Sequence, residues 1–423
     1  MTVAVRVVQF ALRTTLGTQD ITVSGAGTCK GYVLISSGAS ANNTLTAEAS
    51  FMVGFCDSSG NVRSITSCSD DGVGTMDTYV RQDSNSLRAM RQNGTDIWDC
   101  VHNSFITDGF RIEVVDAPAA AFLVTAWVFY GDDVSTSVFT LTTSATNGVE
   151  VLATSGQPTD LLLALSSGNI PQDTLSSFNF VNLGVALNKG SSPFTQFNHA
   201  CVDFDGGSTS RMDQYVMNTR ISNDYGINAG YEVTTFTPTQ VGITSRSDPT
   251  SSAKAIYLMS IHFRGAANVS VGTFTAPTAN GSTPYTGVGF TPQFVAMMFT
   301  QLAGFVDETG SPTTGAAGMH AVCSTDGTTS TVVTHVSEHG VGPSNTQSFT
   351  RDQFVHTLND DGSDANVGTL TSLDSDGWTV NYSANGGAAD VGFYLAVAQS
   401  AVGPASFARR MEHKPAPNSL LRR

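Results

Sequence analysis

A five-residue signature returns three times in this chain at the spacing of whole domains. Met76-Asp77-Thr78-Tyr79-Val80 is echoed by Met212-Asp213-Gln214-Tyr215-Val216 and again by Arg351-Asp352-Gln353-Phe354-Val355. The three aspartates stand 136 and then 139 residues apart. Solenoid repeats run to about 20–50 residues, whereas this period is the size of one compact domain. The spacing predicts three tandem copies of one domain, at 1–133, 134–267 and 268–402, followed by a short tail at 403–423. Such a chain suits building or decorating a surface better than housing one asymmetric active site.

Other markers keep the same register. Each unit opens on an aromatic followed by small polar residues: Phe10-Ala11-Leu12, Phe139-Thr140-Leu141 and Phe274-Thr275-Ala276. An apolar run follows in each, at 32–38, 161–168 and 294–299, and the first two share Ser-Ser-Gly at 36–38 and 166–168. Ser69-Asp70-Asp71-Gly72-Val73-Gly74 matches Ser337-Glu338-His339-Gly340-Val341-Gly342, and Asp108-Gly109-Phe110 matches Asp376-Gly377-Trp378. Each unit closes on an apolar strand, at 121–130, 255–263 and 391–398.

The apolar runs are short, rich in β-branched and aromatic residues, and punctuated by turn residues. Val5 to Val8, Phe110 to Val114 and Trp378 to Tyr382 alternate as half-buried strands do, while 121–130 is apolar on both parities, as a strand covered on both faces would be. Asn93-Gly94, Asn147-Gly148, Asp326-Gly327 and Asp361-Gly362 mark turns. No segment carries a capped 3.6-residue period. The expected fold is all-β: three tandem antiparallel β-sandwiches, jelly-roll-like, with linkers at 132–134 and 265–268 too short to let neighbours swing.

Charged residues make up only 13% of the chain, about half the usual share. Hydroxyls, amides and glycine carry the polarity instead, which lowers the desolvation cost of packing against neighbours. The net charge of −15 argues against nucleic acid as a partner. From Ser406 onward, however, Arg409, Arg410, Lys414, Arg422 and Arg423 against Glu412 give +4, leaving −19 on the rest. That basic tail reads either as a strap that docks on an acidic neighbour or as a solvated terminus. Arg6 and Arg13 interrupt the apolar pattern at the start, so no secretory leader is expected, and no apolar run is long enough for a membrane span. The six cysteines (Cys29, Cys56, Cys68, Cys100, Cys201, Cys323) do not repeat between units. They read mostly as buried thiols, with a pair inside the first unit left open.

No residue set stands out as a catalyst. His335-Val336-Ser337-Glu338-His339 has the spacing of a metalloprotease motif, but that chemistry needs a helix, and this segment is Thr- and Val-rich and aligns with the turn at 69–74. Asp77, Asp213 and Asp352, with the aromatics Tyr79, Tyr215 and Phe354, read as structural: carboxylates capping backbone N–H groups, aromatics entering the core. Calcium or a sugar hydroxyl is the alternative for these aspartates, and calcium for the acidic turns at 203–206 and 360–364. Tyr225, Tyr231 and Tyr285 lie beside Gly or Asn, where they would stack on sugar rings or cover the sandwich end. The expectation is a non-enzymatic protein without cofactor or metal.

The third unit carries the clearest pattern: Gly287-Val288-Gly289-Phe290-Thr291-Pro292, then Asp376-Gly377-Trp378, then Phe393-Tyr394-Leu395-Ala396. It resembles the repeat of tandem β-sandwich structural proteins of tailed bacteriophages. The second unit departs most, with Val241-Gly242-Ile243 where Asp-Gly-aromatic is expected. The resemblance implies a virion component assembled in the host cytoplasm: tail fibre, baseplate or head decoration. Its implied partners are other virion proteins, further copies of itself and, in a lectin-like alternative, a host-surface glycan. It implies no catalytic residue, nucleic acid or membrane insertion.

Overall fold

In the computed structural model the chain is built from antiparallel β-sheets, with no helix among the described residues. Those are 4–47, 49–75, 77–84, 87–90, 96–167, 173–177, 179–190, 192–203, 212–223, 230–246, 254–264, 268–305, 317–338, 341–359 and 361–398. The basic tail, including Arg409, Arg410, Lys414, Arg422 and Arg423, lies outside them.

In the first unit a large sheet is ordered Ala4–Ala11, Leu123–Tyr130, Cys29–Ser36, Ala49–Asp57, Val62–Ser69, Thr78–Asp83. It faces a smaller sheet ordered Gly17–Thr22, Gly109–Asp116, Asp96–Ile106, Leu87–Met90. The same order recurs twice. The second large sheet runs Val134–Thr142, Ala255–Phe263, Leu161–Ser166, Asn179–Leu187, Thr195–Asp203, Met212–Met217. The third runs Asn268–Thr275, Val391–Ala398, Phe294–Phe299, Ala317–Thr325, Ser330–Glu338, Thr346–Arg351. Each has its own four-stranded partner. Successive strands are joined mostly as hairpins within one sheet, which sets a meander inside each sandwich.

Ladder pairing fixes which residues correspond. Ser69 pairs with Ala49 and Thr78, Asp203 with Asn179 and Met212, and Ser337 with Gly318 and Thr346. By this register the five-residue signature is not one structural position. Asp77 precedes its strand, Asp213 lies second within its strand, and Asp352 follows the end of its strand. Strand patterning has a period of two. A polar–aromatic–Val sequence therefore fits the strand itself and the lead-in to the next one, Val355–Leu358, equally well.

Each sandwich encloses a core between its two sheets, with Tyr32, Trp98 and Phe110 in the first, Leu162, Tyr231 and Ile243 in the second, and Phe299, Trp378 and Tyr382 in the third. The other face of each large sheet is also buried. Val33, Phe55 and Trp127, Leu163, Leu183 and Val185, and Met298, Val322 and Phe393 meet in one central core shared by all three units. This double burial explains why 161–166 and 294–299 are apolar without alternation.

The interunit contacts close into a ring. Asn179–Leu187 of the second unit packs on Val62–Ser69 and Thr78–Asp83 of the first. Ala317–Thr325 of the third packs on Thr195–Asp203 and Met212–Met217 of the second. Ala49–Asp57 of the first packs on Ser330–Glu338 and Thr346–Arg351 of the third. Corresponding strands make each contact, so the arrangement is threefold in pattern. Two short strands reach across it. Thr46–Ala47 extends the third large sheet at Thr346–Arg351, and Leu175–Ser176 extends the first at Thr78–Asp83. All six cysteines are buried thiols outside any disulfide.

Candidate functional site

Among the described side chains, the carboxylates that cap backbone N–H groups do not include Asp77 or Asp352. Asp77 is exposed, and Asp352 is exposed and accepts from Asn43 Nδ2 at 3.0 Å. The side chains of Asp213 and Tyr215 lie outside the described residues. Tyr79 is half-buried, whereas Phe354 is fully buried in the third unit's core. The backbone-capping role belongs instead to Asp57, Asp108, Asp326 and Asp376.

Asp108 and Asp376 explain the most recognisable motif. Asp376 Oδ2 and Oδ1 accept from the N–H groups of Gly287 and Gly289, at 3.0 and 2.5 Å. Asp108 does the same with Gly25 and Gly27, at 3.2 and 2.5 Å. The Asp-Gly-aromatic turn thus clasps the Gly-x-Gly loop ahead of the next strand. Gly377 is required there because a Cβ would come within 1.9 Å of the Tyr285 carbonyl oxygen, and at Gly109 within 2.0 Å of that of Ile21. In the second unit the hairpin turns at 237–240, and Thr239 O accepts from Ser155 and Gly156 N–H instead. Val241-Gly242-Ile243 lies within the strand Gln240–Arg246, not at the turn.

The N–H groups of Gly289 and Gly287 hold the Asp376 carboxyl below its ordinary range. A depressed carboxyl contributes stability above its unfolded value, and that contribution is lost as pH falls through the folded value. Asp376→Asn is therefore expected to lower the melting temperature at neutral pH. The gap to wild type should begin to narrow as pH falls past about 4, where the unfolded carboxyl protonates, and close only below the lower folded value. A gap that stays constant down to pH 2 would show that the charge is not what the clasp uses.

Two of the tyrosines considered for sugar stacking are buried. Tyr231 is buried in the second unit's core, and Tyr285 is buried with its hydroxyl 2.6 Å from that of Tyr382. Tyr225 lies outside the described residues. In the acidic turn at 360–364, Asp361 accepts from Ser363 N–H, and Asp364 engages His356 Nε2 at 2.8 Å and Arg351 at 3.3 Å. Asp360 and 204–210 lie outside the described residues.

His335 and Glu338 lie on the strand Ser330–Glu338, so the metalloprotease spacing has no helix beneath it. His335 instead faces the centre of the ring with two other histidines. His199, His320 and His335 are each 1% exposed. The rings of His199 and His320 are 4.5 Å apart and those of His320 and His335 6.3 Å, with Phe51 stacked on His320 at 5.0 Å. Cys201 Sγ lies 3.4 Å from His199 Nε2 and donates to Met319 O at 3.3 Å. Burial holds His199 down to about 3 and His335 to about 4, so both imidazoles are neutral at neutral pH.

These residues occupy corresponding places. By ladder register, His320 corresponds to Phe51 and Val181, His199 to Ile65 and Val333, and Cys201 to Ser67 and His335. A cavity of about 20 Å³ lies in the shared central core, lined by Val53, Phe55, Trp127, Leu183, Met298 and Val322 among others. Sequence reading missed the cluster because its members come from different units and only strand register brings them together.

No protein family matches the chain, and no curated protein does. Among solved structures, the LG1-3 region of the laminin alpha2 chain aligns over 94% of this chain and 96% of its own, at 8% identity and a TM-score of 0.09. A likeness of that size carries no argument about fold or function.

Proposed function

We propose that the chain is a non-enzymatic structural protein on the exterior of a tailed-phage particle, as a tail fibre, baseplate or head-decoration component. The observation that carries this reading is the closed ring. Three sandwiches with one strand order meet at a shared apolar core and turn their smaller sheets outward, so one chain presents three related faces. Such an object fits a threefold site on a symmetric assembly without needing three copies. The motif residues support the same reading, since Asp108, Gly109, Asp376 and Gly377 all serve backbone geometry. On this reading the basic tail is the docking arm for other virion proteins, and the domain boundaries reflect a triplicated ancestral unit.

The test is immunogold electron microscopy of purified particles of the phage that encodes the chain, with antibody against this protein. Gold on intact particles is expected, and its position on head or tail assigns the component. Particles carrying a chain truncated at Ser406 should lose the label if the tail docks. Unlabelled wild-type particles would overturn the exterior-virion reading and return attention to glycan binding.

A further inference from the structure

We propose that His199, Cys201 and His320 bind a zinc-class divalent ion that pins the second unit to the third at the centre of the ring. Their ligand atoms lie within 4.8 Å of one another, and all three residues are buried. Two imidazole nitrogens and a thiolate are the donor set of tetrahedral zinc sites, with Zn–N near 2.0–2.1 Å and Zn–S near 2.3 Å. Those lengths place neighbouring ligands about 3.5 Å apart, and the Cys201–His199 separation of 3.4 Å already meets this. The contraction still required falls on His320.

A second observation points to a ligand. Neither ring nitrogen of His335 has a hydrogen-bond partner among the described residues, and those of His320 have none beyond the Val181 backbone. Both are fully enclosed, and a buried polar group without a partner is costly. The fold itself shows that histidine is not needed for packing here, because the corresponding places hold Phe51, Val181, Ile65 and Val333. Two imidazoles have been placed where the repeat otherwise holds apolar side chains, beside a thiol and a third imidazole at the place where the first unit holds Ser67. His335, at the place corresponding to Cys201, is a candidate for the fourth position. Imidazoles sharing one zinc sit with centroids roughly 5 Å apart, against 6.3 Å between His320 and His335. Binding releases the Cys201 thiol proton to solvent, and no electrons change hands.

The experiment uses the full chain, stripped with chelator and titrated with Co²⁺ and then Zn²⁺. Wild type is expected to bind one Co²⁺ per chain, with a thiolate-to-cobalt charge-transfer band and tetrahedral visible bands that Zn²⁺ bleaches. Zn²⁺ should also raise its melting temperature. Cys201→Ser should abolish the charge-transfer band, while Cys323→Ser, in the third unit's own core, should keep it. His320→Phe and His199→Val install residues that the repeat itself uses at these places, so both should fold and lose the ion. Should either fail to fold, the Cys201→Ser spectrum still decides. Cobalt bound without a thiolate band, or a stripped protein whose spectrum and melting temperature ignore both ions, would overturn the site. The proposal does not rest on the virion reading, since a failure of the gold label leaves the cobalt spectrum unaffected.

Discussion

Truncating Trp127 to Ala is expected to lower the stability of all three units together, by about 3–5 kcal/mol, in a single unfolding transition. Trp127 is 2% exposed on the central face of the first large sheet. It meets Phe294 of the third unit edge-to-face at 5.4 Å and lines the same cavity as Leu163 and Leu183 of the second. Removing it opens a void bordered by every unit, and a closed ring has no free edge through which to relax. Calorimetry and urea unfolding, followed by near-ultraviolet circular dichroism and by hydrogen exchange in each unit, should give coincident transitions that shift together. Three separable transitions, with only the first displaced, would show that the sandwiches fold independently and that the shared core is a contact rather than a common structure. The same logic predicts that segment 134–264 alone will not persist as a soluble monomer. It would expose Leu161, Leu163, Leu165, Leu183 and Val185 as one apolar face.

The all-β class was legible because strand chemistry is local. Alternation at Phe110–Val114, Gly and Asn at turns, and doubly apolar runs at 161–166 each report their own environment. Asp108-Gly109 and Asp376-Gly377 were legible as a motif because one short segment carries both the carboxylate and the close backbone approach. The signature Asp77, Asp213, Asp352 was misleading for the opposite reason. Similar polar–aromatic letters fell on a strand in one unit and after a strand in another, and only ladder pairing separates the two. The ring and its histidine cluster were invisible for a further reason. His199 and His320 are far apart in the chain and sit on different large sheets, and nothing in either neighbourhood says which face turns inward. The information lies in which positions depart from the repeat, and it becomes readable once register is known.

Replacing Asp57 with Ala is expected to cost about 3 kcal/mol or more, as large as breaking a buried hydrogen-bond network. Asp57 is 2% exposed. Its carboxylate accepts from the N–H groups of Ser59 and Asn61 at 2.9 and 3.0 Å, from Asn61 Nδ2 at 2.9 Å, and from Val138 N–H of the second unit at 2.8 Å. One side chain therefore closes a hairpin turn and joins two units. Asp326 repeats the device at the next interface, accepting from Thr328 and Thr329 N–H and from Val7 N–H of the first unit at 3.2 Å. By register the third interface holds Leu187 and Val271 at these places, both in the central core. At this corresponding place, therefore, two of the three interfaces carry a carboxylate bond and the third an apolar contact. Hydrogen exchange separates the interunit share from the turn. The Val138 amide should lose protection in Asp57→Ala and the Val7 amide in Asp326→Ala, with Val271 unchanged in both. Asp57→Asn should spare most of the turn yet still expose Val138, because an amide nitrogen directed at that N–H cannot accept from it. Unchanged protection at Val138 in both Asp57 variants would mean that the Asp57 carboxylate plays no part in holding the first two units together.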